Sequence, residues 1–142
     1  MWISADGVAG AEPERLRRDS APKGCCSAAI DREFAEASAQ FPQFCQRWQQ
    51  DLRDRERYNL TKLVFERKDG FETATYTGYG DVEVCEVHQS KDGFAIGKIV
   101  YAEFIYYLTG ETPEAAMRAE KRPIAQTRTT EIFRWENGTW FQ

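Results

Sequence analysis

Ala95-Ile96-Gly97-Lys98-Ile99-Val100-Tyr101-Ala102-Glu103-Phe104-Ile105-Tyr106-Tyr107-Leu108 is the stretch that decides the fold. Its length and its β-branched and aromatic content mark a long strand, bent near Gly97. It is apolar at both parities. Ile96, Val100, Ala102, Phe104, Tyr106 and Leu108 alternate with Ile99, Tyr101, Ile105 and Tyr107. A strand of that kind is covered on both sides. Helices supply one cover. The other is a partner subunit, the remainder of a strongly curled sheet, or the N-terminal segment.

Working outward, hairpin signals surround this strand. Lys91-Asp92-Gly93-Phe94 precedes it and repeats Lys68-Asp69-Gly70-Phe71. Asp-Gly between β-type runs is a strong turn signal. The runs it separates predict strands over Leu60–Arg67, Glu72–Tyr79 and Val82–His88, with a bend or bulge at Gly78-Tyr79-Gly80-Asp81. Downstream, Gln126–Trp135 and Thr139–Gln142 flank a third turn, Glu136-Asn137-Gly138. Between the long strand and these lies a helix start, with Thr112 as N-cap, Pro113 at the first position and Glu114 at the positive end of the dipole. That helix stops before Pro123.

Ahead of the strands, Ile30, Phe34 and Ala37, then Phe41, Phe44, Cys45, Trp48 and Leu52, recur at helical spacing. Pro42 interrupts the run, which predicts two helices, over about 28–39 and 42–57. The charges crowding residues 51–57 read as a solvated face, with Asp51 and Arg55 spaced for an i,i+4 pair. The fold class expected is α+β, with N-terminal helices packed on a strongly curved antiparallel sheet of about six strands.

The chain has 142 residues, a net charge of −4 and 13% aromatics. That bounds it to one domain, too apolar to be disordered throughout. The absence of a long apolar run argues against a membrane span. Mild acidity without a basic block argues against a nucleic-acid partner. Fourteen of the nineteen aromatics fall within residues 58–142, whereas residues 1–27 hold only Trp2. Residues 1–27 therefore read as a flexible extension with a short helix around Glu12–Asp19, and 28–142 as the domain. No stretch in 1–27 has the continuous apolar character of a secretory signal. Cys25, Cys26, Cys45 and Cys85 lack zinc-site spacing and read as buried or incidental thiols of a reducing cytoplasm. Asn59-Leu60-Thr61 and Asn137-Gly138-Thr139 match the glycosylation triplet, which carries meaning only in a secreted protein.

The ending Thr129-Thr130-Glu131-Ile132-Phe133-Arg134-Trp135-Glu136-Asn137-Gly138-Thr139-Trp140 resembles the close of the NTF2-like (SnoaL-like, ketosteroid-isomerase-like) superfamily. The element order over residues 28–142 resembles it too. The resemblance implies a cone-shaped fold with an interior pocket. It implies no catalytic residue, because no enzymatic signature of the superfamily falls on this chain.

From the residues themselves, Glu103 is the most informative side chain, a carboxylate inside the most apolar strand. It reads as a general acid/base, or as half of an ion pair with Arg128 or Arg134. His88, the single histidine, is the other acid/base candidate. Trp48, Tyr101, Phe104, Tyr107 and Trp135 are the candidate ligand-binding aromatics. No Walker-type loop, G-x-G-x-x-G, G-x-S-x-G or H-E-x-x-H occurs, so no cofactor and no metal is expected. The function expected is binding of a small apolar or mixed-polarity organic ligand by a cytoplasmic homodimer. The rivals are a cofactor-independent isomerase, dehydratase or hydrolase using Glu103, and a non-catalytic homodimeric interaction module.

Overall fold

The computed structural model describes residues 3–4 and 25–142, with side chains from residue 28 onward. In chain order the elements are β1 (Ile3–Ser4), α1 (Cys25–Thr61), β2 (Glu66–Lys68), β3 (Phe71–Tyr79), β4 (Val84–Gln89), β5 (Ala95–Gly110), α2 (Pro113–Arg118), β6 (Arg122–Glu136) and β7 (Thr139–Phe141). The fold class is α+β, an antiparallel sheet with a long helix against it, as the sequence predicts. Strand order is β1-β4-β5-β3-β2, and β6 pairs with both β5 and β7. The expected short helix around Glu12–Asp19 lies outside the described residues. Within the expected extension, Ile3 and Ser4 pair with Val87 and Glu86 of β4.

All three turn signals are turns. Asp69 and Gly70 take φ of 54° and 83°, and Asn137 and Gly138 take 50° and 80°. Successive positive φ values are those of a tight two-residue hairpin turn. The second Asp-Gly closes differently. Only Gly93 has positive φ, and a wider loop forms in which Ser90 N donates to Phe94 O at 2.8 Å. One tetrapeptide thus serves two turn geometries.

β3 and β4 both pair along β5. Tyr79 pairs with Glu103, Gly80 N donates to Ala102 O, Glu83 N donates to Val100 O, and Val84 pairs with Val100. Five steps on one side match three on the other, so two extra residues bulge between Gly80 and Val84, just past most of the Gly78–Asp81 stretch where the sequence predicts a bend.

Two expectations need correction. A single helix runs from Cys25 to Thr61 with Pro42 inside it, where two helices were expected. An interior proline costs about 3 kcal/mol, through a lost hydrogen bond and a ring clash. The packing of this stretch outweighs that cost, because Ala37 and Phe41 are fully buried and Cys45 nearly so. Each large side chain buried in full is worth about 1.5–3 kcal/mol. Second, Leu60–Arg67 is mostly not a strand. Leu60 belongs to the last turn of α1, and Leu63 and Phe65 pack as loop residues against Tyr76, Leu108 and Ala116. Their period-two pattern is satisfied by that cluster without a ladder.

The chain divides into two compact units. The first comprises Met1–Arg47, Val82–Val100 and Thr130–Gln142, and the second Trp48–Asp81 and Tyr101–Thr129. In the first, α1 meets the odd positions of β5. The Phe41 ring lies against Gly97, where a Cβ would come within 2.5 Å of it. Cys85, opposite Ile99, is disulfide-bonded to Cys45 of α1. Incidental free thiols were expected. The two cysteines are 40 residues apart and carry no spacing signature, but helix and strand bring their Cα atoms to 6.3 Å. Around them Phe41 packs on Trp140 (4.7 Å), Phe44 on Phe133 (4.8 Å) and Trp135 on Trp140 (5.2 Å).

In the second unit, α1 meets the even positions of β5. Tyr106 pairs with Tyr76 and Leu108 with Ala74, and Leu60 packs on the cluster they form with Ala116. The odd positions of β5 are thus used in the core of the first unit and the even positions in that of the second.

Candidate functional site

The second unit carries the polar chemistry. The charged end of α1, expected as a solvated face, holds the end of β3. Glu56 Oε1 accepts from Tyr79 N at 3.0 Å, Arg53 pairs with Asp81, and the Arg55 guanidinium lies 5.7 Å from the Tyr79 ring centroid. Arg55 stacks on Tyr79, and Arg57 pairs with Asp54 along the helix. Asn59 Nδ2 donates to Thr77 O at 2.9 Å, so its amide is engaged.

Facing α1, Tyr76 and Tyr106 stack at 5.3 Å, and Phe104 lies 5.5 Å from Tyr106. Gly78 leaves room for them, since a Cβ there would come 2.5 Å from the Tyr106 ring and 3.0 Å from Glu56 Oε2. Burial, then the nearby Glu56 charge and Tyr76, push the Tyr106 hydroxyl above its usual pKa. The Tyr76 hydroxyl is itself buried, and Lys121 points its ammonium there. This contact raises the Lys121 pKa despite partial burial. The approach is longer than an ordinary hydrogen bond, and Nζ lies 5.5 Å from the ring centroid. Glu56, Tyr76, Tyr106 and Lys121 form a packed polar cluster. No sequence signal marks it, because its members come from α1, β3, β5 and the segment before β6.

The opposite face of the same strands is open. A cleft of about 400 Å³ is lined by Lys62, Val64, Glu66, Lys68, Thr73, Ala74, Thr75 and Tyr107. Its floor follows from the ladder. Thr75 pairs with Tyr107, and both project away from the Tyr76–Tyr106 face because side chains alternate. Its wall is the chain between α1 and β3, fixed by Lys62 N donating to Asn59 O at 3.0 Å and by β2 pairing with β3. The Arg122 guanidinium lies 5.7 Å from the Tyr107 centroid and holds that ring.

Of the aromatic ligand candidates, Tyr107 lines this cleft. Tyr101 shares its parity but is 1% exposed and packs edge-on against Tyr79 at 6.2 Å. Phe104 has the other parity and belongs to the tyrosine stack. Trp48 is half-buried on α1. Trp135, in the first unit, is a core residue packed on Trp140, with an edge on a separate cleft of about 380 Å³ beside Glu33, Phe94, Glu136 and Asn137. Strand alternation keeps Phe104 from sharing a site with Tyr101 and Tyr107.

Glu103 is half-buried opposite Tyr79, and Arg134, a proposed mate, pairs with Glu136. Partial exposure relieves the need for a buried counter-ion that the sequence suggested. His88 lies opposite Ile96 in β4, and burial lowers its pKa, with the Lys98 charge adding a smaller push in the same direction. Neither Glu103 nor His88 lines the Tyr107 cleft. No described helix is long and apolar enough to cross a membrane.

Comparison with known families, curated proteins and solved structures finds no match to this chain.

Proposed function

We propose that this domain binds a small organic molecule of mixed polarity in the Tyr107 cleft. The observation that carries the reading is the cleft itself. Its volume suits a small ligand, a single aromatic ring offers stacking area, and hydroxyl and ammonium groups surround that ring. The candidate acid/base residues lie elsewhere, which favours binding over the isomerase, dehydratase or hydrolase reading. A thermal-shift screen of small aromatic compounds tests it. Hits should lose their shift in Tyr107→Ala and keep it in Phe94→Ala, which alters the cleft of the first unit. Hits insensitive to Tyr107→Ala would overturn the assignment.

A homodimer is the second reading. It is favoured by an apolar depression of about 340 Å³ in the first unit, where Ile132 and Phe141 are about half exposed beside Ile96. Sedimentation at twice the 16.4 kDa chain mass would support it, and a monomer at high concentration would remove it. The Cys45–Cys85 bond supports a compartment in which disulfides persist, in place of the cytoplasm expected from sequence.

A further inference from the structure

We propose that the Tyr107 cleft selects an organic anion, a planar aromatic ring bearing a carboxylate or phosphate. This rests on reading the cleft as a binding site and adds the ligand's charge and shape.

The argument is one of charge and of which charges are already satisfied. The whole chain carries −4. Around the cleft the balance is reversed. Lys62 and Lys68 line it and Arg122 lies over its ring, against one carboxylate, Glu66. The neighbouring Arg67 is already neutralised, since its guanidinium donates to Glu72 at 2.7 Å. Lys68 and Arg122 have no carboxylate partner among the described residues, and the Lys62 ammonium rests on the Tyr58 ring at 5.4 Å from the centroid. Glu66 is exposed on the short edge strand β2, where solvent and salt screen its charge. A locally cationic concavity on an acidic protein concentrates anions. The planar Arg122 guanidinium, 5.7 Å from the Tyr107 centroid at the side of the cleft, is the group suited to meet a carboxylate or phosphate on a ring beside Tyr107. Thr75, beside Tyr107 in the ladder, adds a hydroxyl donor, whereas Thr73 Oγ1 already donates to Glu66 O at 3.2 Å. The cleft volume matches a group of one or two rings.

The test is calorimetric titration of the full oxidised chain with 2-naphthoate, its neutral analogue 2-naphthamide, phenyl phosphate and inorganic phosphate. The expected result is that naphthoate or phenyl phosphate binds at least about tenfold tighter than naphthamide. That preference should shrink several-fold between about 20 and 200 mM salt, as screening shortens the reach of exposed charges. Lys62→Ala with Lys68→Ala should bring naphthoate close to naphthamide, while Tyr107→Ala weakens both. The stronger of naphthoate and phenyl phosphate identifies the acid group. Equal binding of naphthoate and naphthamide would overturn the anion claim and leave the cleft reading intact. Inorganic phosphate binding as tightly as phenyl phosphate would overturn the aromatic half of the claim. No binding by any probe would overturn both the anion claim and the cleft as their site.

Discussion

The two compact units share one helix and one central strand but differ in what they set between them. In the first, α1 and β5 enclose an aromatic cluster of Phe41, Phe44, Phe133, Trp135 and Trp140, closed by the Cys45–Cys85 bond. In the second, the same elements flank two stacked tyrosines and a glutamate, with the exposed Lys121 at their edge, and the opposite sheet face carries an open cleft lined by two lysines. The difference teaches a division of labour. One unit is bonded and ring-packed, which makes it a frame. The other places hydroxyl and ammonium groups around an open cleft.

Removing the disulfide should have the largest effect. Closing a loop of 40 residues is worth about 4 kcal/mol in the chain-entropy account. Cys45→Ser with Cys85→Ser should lower the denaturant midpoint accordingly, and hydrogen exchange should quicken most in residues 84–100 and 130–142. Equal quickening in residues 101–129 under native conditions would break the contrast.

The two close-packed glycines sharpen it. Gly97→Ala meets the Phe41 ring, fully buried and flanked by Phe44 and Trp140. Gly78→Ala meets the Tyr106 ring, which is only half-buried. Overpacking typically costs about 1–3 kcal/mol, so Gly97→Ala should fall near the top of that range and Gly78→Ala below it. Chemical denaturation of both variants checks this, and the reverse order would contradict a rigid first unit.

Pro42→Ala should stabilise the chain by about 1–3 kcal/mol, since it restores a helical hydrogen bond and relieves a clash in the interior of α1. A loss of stability instead would mean that the proline is required by the aromatic packing beside it.

The smallest effect concerns His88. Its folded pKa is depressed, chiefly by burial, with a smaller contribution from the Lys98 charge. The unfolded state therefore binds the proton more readily, and stability declines as pH falls from about 6.5 through the folded pKa. Midpoints measured between pH 7 and 5 should fall less in His88→Gln.

The fold was legible where local chemistry and global structure agree. Asp69-Gly70, Gly93 and Asn137-Gly138 marked three turns among the described residues, and Thr112-Pro113 marked α2, where Thr112 Oγ1 accepts from Ala115 N at 3.0 Å. It was illegible where tertiary packing overrides local preference. Pro42 argued for two helices, and only the burial of Phe41 and the bond at Cys45 explain one. Much of the candidate site was hidden for a related reason. Tyr107 was visible as an aromatic in a strand, but Lys62 and Lys68 reach its cleft only because the chain leaves α1 and doubles back through β2. Glu103 drew attention as a charge among apolar residues, yet it stays partly exposed, which eases the burial cost that made it conspicuous.

The most direct test of the account is a two-dimensional NMR titration of the oxidised chain with 2-naphthoate. The account predicts saturable shifts confined to amides near Lys62–Lys68, Thr73–Thr75 and Tyr107, with those of Gly97, Phe133 and Trp140 unmoved. Saturable shifts centred on the aromatic cluster of the first unit, or none at any site, would contradict it.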